Sequence, residues 1–454
     1  MNSNLKHYET VAVAGFGLTG VSVARFLLRQ GVMPIVIDSR AEPPGLTLEP
    51  ELVAQCECLF GEFSLESLLG LDLIIVSPGI DTRKGPLRMA ADAGVMLISD
   101  IELFAWYVTA PVIAITGSNG KSTVTELAAY LLQQAGKKVA VGGNIGTPAL
   151  DLLTTEHDCV VLELSSFQLE LTFSLTLQAA CILNISSDHL DRYDDSRAYI
   201  RAKHAVYTHS KHVVWNADDA NTAPIQTNGE QKNKNTAATT VFGKASWKEG
   251  FGLQYDQQGH WLCWRGTRLA NTAELPLIGT HNWLNVMAAL ALCRQLGLEP
   301  AVALQHIAGF KALPHRCELI GNYFNVRWID DSKATNPGAT AAAIEGLRPD
   351  VTAKLILIAG GDAKGADLTD LVNPLANVNL LITLGRDGPR IAALKEGAIE
   401  VKTMEEAVAV AKQHAKPGSA VLLSPACASL DMFSNYQERG MVFRKAVEVA
   451  HGRS

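Results

Sequence analysis

Several features that would tie a chain to a membrane, an oxidising compartment or nucleic acid are missing here. The first ten residues, Met1 to Thr10, are polar, and the apolar run after them is broken by glycines. That pattern argues against a signal peptide and a membrane span. No two of the eight cysteines (56, 58, 159, 181, 263, 293, 317 and 427) are spaced C-x-x-C. Cys159, Cys181 and Cys293 sit inside apolar runs, where a thiol packs as a small hydrophobe. A reduced, cytoplasmic protein is therefore expected. Positive charge is not in surplus either: 39 Lys and Arg stand against 46 Asp and Glu, a net charge of −7. This balance disfavours non-specific nucleic-acid binding, so any anionic ligand must be met by a few placed cations. The 48% hydrophobic and 19% charged content is that of a soluble globular protein. At 454 residues the chain exceeds a single core, and its length suggests about three domains.

What is present is organised around Val112-Ile113-Ala114-Ile115-Thr116-Gly117-Ser118-Asn119-Gly120-Lys121-Ser122-Thr123. An apolar run that reads as a buried strand leads into a glycine turn. A helix follows with Val124, Leu127, Ala128, Leu131 and Leu132 on one face, ending at Gly136. Strand, glycine loop, Gly-Lys-Ser and helix is the layout of a nucleotide-phosphate cradle. Loop N–H groups meet phosphate oxygens, Lys121 adds a cation and Ser122 offers a hydroxyl to Mg²⁺. The spacing is shortened: Ile115 stands where G-x-x-x-x-G-K-[ST] begins with glycine, and Gly117 precedes Gly120 by only three residues.

Upstream, Val11 to Ala14 and Gly15-Phe16-Gly17-Leu18-Thr19-Gly20 open a strand–helix–strand unit that ends in Asp38. Alone this spells dinucleotide binding, yet the glycine turn suits any diphosphate, and Asp38 can accept from any sugar hydroxyl. Further strands are expected at Leu71 to Val76, before Ser77-Pro78-Gly79, and at Met96 to Ser99.

In the centre, strands at Val139 to Gly142, Cys159 to Leu162 and Ala179 to Leu183 are each followed by polar residues, with a helix expected near Pro148. Ligands in open parallel sheets sit beyond the carboxyl ends of strands. Ser122, Glu163 and His189 are thus brought toward one Mg²⁺-nucleotide zone, His189 being the less comfortable ligand for a hard cation. Lys203 falls on the inner stripe of a helix expected over Ser196 to Thr208. It either snorkels outward or is drawn in toward metal or phosphate. Gln226 to Thr240 reads as a polar surface loop, and Leu253 to Trp264 as a hairpin. Asn282 is either an N-cap or an adenine-reading amide.

The last third alternates strands (326–329, 355–358, 380–384, 420–423) with alanine-rich helices. Polar clusters stand at Asp330 to Asn336, Gly360 to Lys364 and Ser424 to Ser429. His315-Arg316 at the junction either places a guanidinium on phosphate across a cleft or is a surface charge.

These motifs together resemble the Mur ligase family over nearly the whole chain. The match rests on Gly15 to Gly20, Ser77-Pro78-Gly79-Ile80, Thr116 to Thr123, Gly142-Gly143-Asn144-Ile145-Gly146 and Glu163-Leu164-Ser165-Ser166-Phe167-Gln168. It continues through Asp188-His189-Leu190-Asp191-Arg192-Tyr193, Gly279 to Asn282, Pro314-His315-Arg316, Asp331 to Asn336 and Ser424 to Asp431. The resemblance implies an α/β protein of three domains. These are a Rossmann-like domain for a UDP substrate (1–109), a central P-loop ATPase domain with a mostly parallel sheet (110–313) and a C-terminal Rossmann-like domain (314–454). It implies ATP and Mg²⁺, and addition of D-glutamate to UDP-N-acetylmuramoyl-L-alanine by a monomer with no nucleic-acid or membrane partner. Leu18, Thr19, Asp38, Ser39, Arg40, Ser77, Asn144, Ser165 and Gln168 then match the UDP-substrate side. Gly117 to Thr123, Asn282, Asn285, Arg316, Asp331 and Lys333 match ATP contacts. Lys121, Glu163, His189 and Lys203 match catalytic positions, and Ser122, Glu163, His189 and a carbamylated Lys203 match metal ligands. Thr335, Lys364, Ser429, Leu430 and Tyr436 match the D-glutamate pocket, Tyr436 standing where well-known relatives have phenylalanine. Folylpolyglutamate synthase shares the architecture but lacks a domain like that of Gly15-Phe16-Gly17.

Overall fold

The computed structural model describes residues 5–61, 64–186, 192–193, 195–225, 237–245, 247–277, 279–311 and 313–452. The readings of His189 and of residues 226–236 lie outside this set. Among the described residues, three sheets divide the chain in order.

The first sheet holds β1 (Val11–Ala14), β2 (Ile35–Asp38), β3 (Glu57–Phe60), β4 (Leu73–Val76) and β5 (Met96–Ser99), in the order β3-β2-β1-β4-β5. All of its pairings are parallel. Helices on both faces bury β1 and β4 at every residue, which is why these strands read as unbroken apolar runs. A Cβ on Gly20 would lie 1.9 Å from the Gly15 carbonyl oxygen, so only glycine lets helix Leu18–Arg29 close onto its loop.

The second sheet comprises β6 (Val112–Thr116), β7 (Val139–Gly143), β8 (Cys159–Glu163), β9 (Ala179–Ile182), β10 (His212–Asn216), β11 (Ala238–Phe242), β12 (Gly250–Asp256), β13 (Gly259–Trp264) and β14 (Thr267–Asn271). Their order is β14-β13-β12-β11-β10-β9-β6-β8-β7, with every pairing parallel except the antiparallel β12–β13 and β13–β14. Neighbouring β6, β8 and β9 therefore deliver the glycine loop, Glu163 and Asn184 to one edge. The helix expected near Pro148 is a six-residue 3₁₀ segment, Ala149–Thr154, rather than an α-helix. The expected helix from Ser196 is α-helical to His204 and 3₁₀ over Ala205–Tyr207.

The third sheet orders β15 (Glu318–Tyr323), β16 (Val326–Asp330), β17 (Leu355–Gly360), β18 (Leu380–Leu384), β19 (Ile399–Glu400) and β20 (Ala420–Leu423) as β15-β16-β20-β17-β18-β19. Only β15 and β16 pair antiparallel, around left-handed Phe324 and Asn325 (φ 54° and 60°). Because β16, β20 and β17 are neighbours, the three polar clusters of the sequence lie side by side.

The apolar packing does not respect the first boundary between sheets. One buried cluster joins Val11, Phe26, Ile75 and Phe104 to Val112, Leu150, Leu162 and Ile182. The third sheet keeps two clusters of its own, one on each face.

Candidate functional site

Past β6 the chain turns through Gly117 and Gly120, at φ 148° and 85°, into helix Lys121–Gln134. A Cβ on Gly120 would also stand 2.6 Å from Asn285 Oδ1. Asn184, just beyond β9, clamps the loop. Its carbonyl accepts from Ser118 N–H at 2.9 Å, and its Oδ1 accepts from Asn119 N–H at 2.8 Å. Sequence reading passed over Asn184, although its place past a strand's carboxyl end was the available signal.

Two lysines converge on this loop. Lys121 Nζ donates to the carbonyls of Gly117 (2.8 Å) and Ser118 (2.9 Å). Lys203 Nζ donates to Gly117 O at 2.9 Å and lies 4.5 Å from the centre of the Tyr199 ring. With 2% of its surface exposed, Lys203 does not snorkel; it is drawn in. Glu163, the last residue of β8, is buried as well. Its Oε1 accepts from Asn144 Nδ2 at 2.8 Å, while Oε2 has no hydrogen-bond partner among the described residues. A buried carboxylate oxygen left so is costly and suits a hard divalent cation.

A cavity of about 580 Å³ opens between the second and third sheets, large enough for a nucleotide. Asn119, Gly120, Thr123, Asn282, Asn285, Arg316, Asp331 and Lys333, all matched above to ATP contacts, line it. Lys121, Ser122, Glu163 and Lys203 lie outside the lining, as do the residues matched to the UDP substrate and D-glutamate. Asn282 is not an N-cap: Gly279 (φ 95°) caps helix Thr280–Arg294, and Asn282 is its third residue, buried and accepting from Asn285 Nδ2 at 3.3 Å. The opposite wall includes Gly338, Ala342 and Gly346, whose helix had been read only as alanine-rich.

Polar contacts bridge the cleft. Arg316 Nη2 donates to Ser122 Oγ at 2.7 Å, and Asn336 Nδ2 donates to Asn119 Oδ1 at 3.1 Å. Burial pushes the Asp331 carboxyl up to about 7, although Ser424 Oγ donates to it at 2.7 Å. Burial, reinforced by Arg316, brings the Lys333 ammonium down to about 8. Its Nζ sits 4.0 Å from the centre of the Tyr436 ring, a cation–π contact.

The first sheet carries a separate group. Burial alone would raise the Asp38 carboxyl, but Arg40 and the Phe16 and Arg40 N–H groups hold it below the usual range. Phe16 N–H donates to Asp38 at 2.8 Å and Arg40 Nη2 at 2.6 Å. Ser77 Oγ donates to Gly15 O at 2.9 Å, Leu18, Ser39 and Arg40 are exposed, and Thr19 is half-buried. Ser165 and Gln168 form a capping box, and the Gln168 amide also reaches buried Asp100 at 3.3 Å. In the third unit Ser429 is buried, Tyr436 half-buried, and Thr335, Lys364 and Leu430 exposed.

Three families match in chain order: the Mur ligase MurD-like N-terminal domain (residues 9–99), the Mur ligase middle domain (115–293) and the Mur ligase glutamate ligase domain (315–427). The UDP-N-acetylmuramoylalanine–D-glutamate ligase of Idiomarina loihiensis is 44% identical over 466 aligned positions, covering 99% of this chain and 98% of that protein. The enzyme of the same name from Shewanella oneidensis is 46% identical over 449 positions, covering 97% and 98%. A pseudomurein peptide ligase type C from Methanothermus fervidus shares the fold, with a TM-score of 0.61 at 19% identity over 97% of this chain and 99% of that one.

Proposed function

The chain belongs to the Mur ligase family, and from that premise we propose that it joins D-glutamate to UDP-N-acetylmuramoyl-L-alanine, with ATP becoming ADP and phosphate. The setting is cytoplasmic synthesis of a peptidoglycan precursor by a monomer. Residues 1–109 take the UDP substrate, 110–313 take ATP, and 314–454 take the amino acid and close over ATP. One observation carries this reading: the glycine loop Gly117–Thr123 borders the cleft, and Arg316 reaches its Ser122 from the other side at 2.7 Å.

A carboxylate is a poor electrophile toward an amine at neutral pH, so it must first be activated. Transfer of the γ-phosphoryl group to a carboxylate oxygen gives an acyl phosphate and ADP. The free amine of D-glutamate then attacks the acyl carbon, the carbon–oxygen bond to phosphate breaks, and the nitrogen gives up a proton to leave the amide. Three anionic partners must meet, so this chain's work is mostly positioning and charge. Loop N–H groups and the start of helix Lys121–Gln134 cradle phosphate oxygens. Lys121 moves from loop carbonyls onto phosphate, while Arg316 and Lys333 approach from the opposite lobe. Mg²⁺ held by Ser122, Glu163, His189 and carbamylated Lys203 would supply further neutralisation of phosphate charge, and the unpartnered Glu163 Oε2 fits that role. Thr335, Lys364, Ser429, Leu430 and Tyr436 receive D-glutamate.

A substrate-omission assay tests the proposal. Phosphate release is expected only when ATP, UDP-N-acetylmuramoyl-L-alanine and D-glutamate are all present. Turnover with another amino acid in place of D-glutamate keeps the chemistry and refutes the assignment of substrate.

A further inference from the structure

The three strand-end loops of the third unit converge on one buried cation that the foregoing does not use. Arg439 lies near the start of helix Tyr436–Ala450 and is 2% exposed. Its Nη2 donates to Ser332 O at 2.8 Å, and its Nη1 donates to Cys427 O at 3.0 Å. The third loop packs on the same group: a Cβ on Gly361 would stand 3.2 Å from Nη1. The adjacent Gly440 is what lets the helix come so near. A Cβ there would lie 2.3 Å from His315 Nδ1 and 2.6 Å from both Asp330 Oδ2 and Ser332 Oγ.

A buried cation is an expensive way to fill space, since an apolar side chain of similar volume often packs at lower free energy. Burial brings the Arg439 guanidinium down to about 10, opposed by Cys427, Asp431, Asp330 and Asp331, so it stays charged at neutral pH. What an apolar residue cannot do is donate two hydrogen bonds in fixed, divergent directions, which the planar fork of arginine does. The two acceptors are well placed to matter. Ser332 immediately precedes Lys333, and Cys427 lies two residues before Ser429. We propose that Arg439 is a positioning residue that fixes the separation between the loop presenting Lys333 to the nucleotide and the loop presenting Ser429 to the amino acid. The proposal rests on the ligase reading above.

The test uses the full chain as Arg439→Met and Arg439→Lys. Each substrate is varied in turn in the phosphate-release assay, a non-hydrolysable ATP analogue is titrated by calorimetry, and thermal melting reports the folded fraction. In Arg439→Met the KM for D-glutamate should rise by about 10-fold or more and kcat should fall, because displacements of about 1 Å near reacting groups are costly. The KM for the UDP substrate should stay within about 2-fold, since that site is on another sheet. Arg439→Lys keeps the charge but not the fork, and should recover part of the loss. Affinity for the analogue should weaken in both variants. Kinetics like the parent's in folded Arg439→Met overturn the proposal, and so does an equal rise in all three KM values, which indicates a general loss of structure. Should Arg439→Met not fold, Arg439→Lys decides: a D-glutamate KM equal to the parent's overturns the proposal. Failure of the parent to release phosphate in response to D-glutamate sinks the ligase reading instead. The analogue titration then judges Arg439 alone, and affinity like the parent's in both variants counts against it.

Discussion

Gly117 presents its carbonyl oxygen to two ammonium groups at once, those of Lys121 and Lys203. Phosphate oxygens would thus exchange one acceptor for another at Lys121, without drawing a fully hydrated cation out of water. Removing Lys121 should therefore affect chemistry far more than binding of the UDP substrate, which is proposed to meet a different sheet. Lys121→Ala is expected to lose phosphate release by about 10²-fold or more while calorimetry still detects UDP-substrate binding. Loss of both together would contradict the separation of the sites. Lys333 gives a pH prediction. Phosphate attracts its protonated form, and with the ammonium held down to about 8 that form is lost as pH rises through this value. Asp331, at about 7, turns anionic over a lower range and adds repulsion of the same sign. Affinity for an ATP analogue should fall as pH rises through both steps. Lys333→Arg should remove the upper step and leave the lower one, whereas an unchanged profile would show that Lys333 does not titrate in this range.

At the scale of elements, close approach at single glycines decides the shape of both glycine loops. Gly20→Ala must push helix Leu18–Arg29 off the Gly15 carbonyl, at a cost of about 1–3 kcal/mol. Denaturant unfolding should show that loss, and calorimetry should show weaker binding of a UDP ligand with ATP-analogue affinity unchanged. An undiminished stability would mean that the loop relaxes freely. Strands such as β1, β4, β6 and β8 were legible because burial on both faces leaves continuous apolar runs, whereas β10 and β11, inside the second sheet, were not read. At the edges, β5 and β7 were legible too, but β3 and β15 were not. Glu57–Phe60 alternates exposed and half-buried, and Glu318–Tyr323 mixes both classes, so neither carries a run that stands out from loop sequence. Asn282 has the right chemistry for a cap, but Gly279 (φ 95°) occupies that position without a side-chain bond, and the asparagine lines the cavity. Asn119 and Asn336 meet across 217 residues of chain, a pairing that no local spacing encodes. Strand-end residues such as Glu163 and Asp331 stood out in the sequence because parallel sheets place their ligands at that edge, and Asp331 does line the cavity.

Over the whole molecule, the three sheets are not three equal bodies. A shared apolar cluster fuses the first two, and Arg25 adds an ion pair to Asp151 at 3.1 Å across the same boundary. The third meets the central one across the cavity through polar pairs, Arg316–Ser122 and Asn336–Asn119. Such contacts re-form easily, so closure should involve the third unit alone. Small-angle scattering should show compaction when an ATP analogue binds, and Arg316→Ala combined with Asn336→Ser should abolish it. Serine retains the N-cap function of Asn336 for helix Pro337–Leu347 while removing the amide that reaches Asn119. No change in the parent on adding the analogue would rule the motion out.

The greasy joint between the first two sheets turns them into a fixed anvil, with one jaw left to swing. A wedge lodged in the nucleotide cleft would hold that jaw ajar and stop the bite. The same wedge seated at Leu18, on the anvil's far shoulder, would block a guest without touching the hinge.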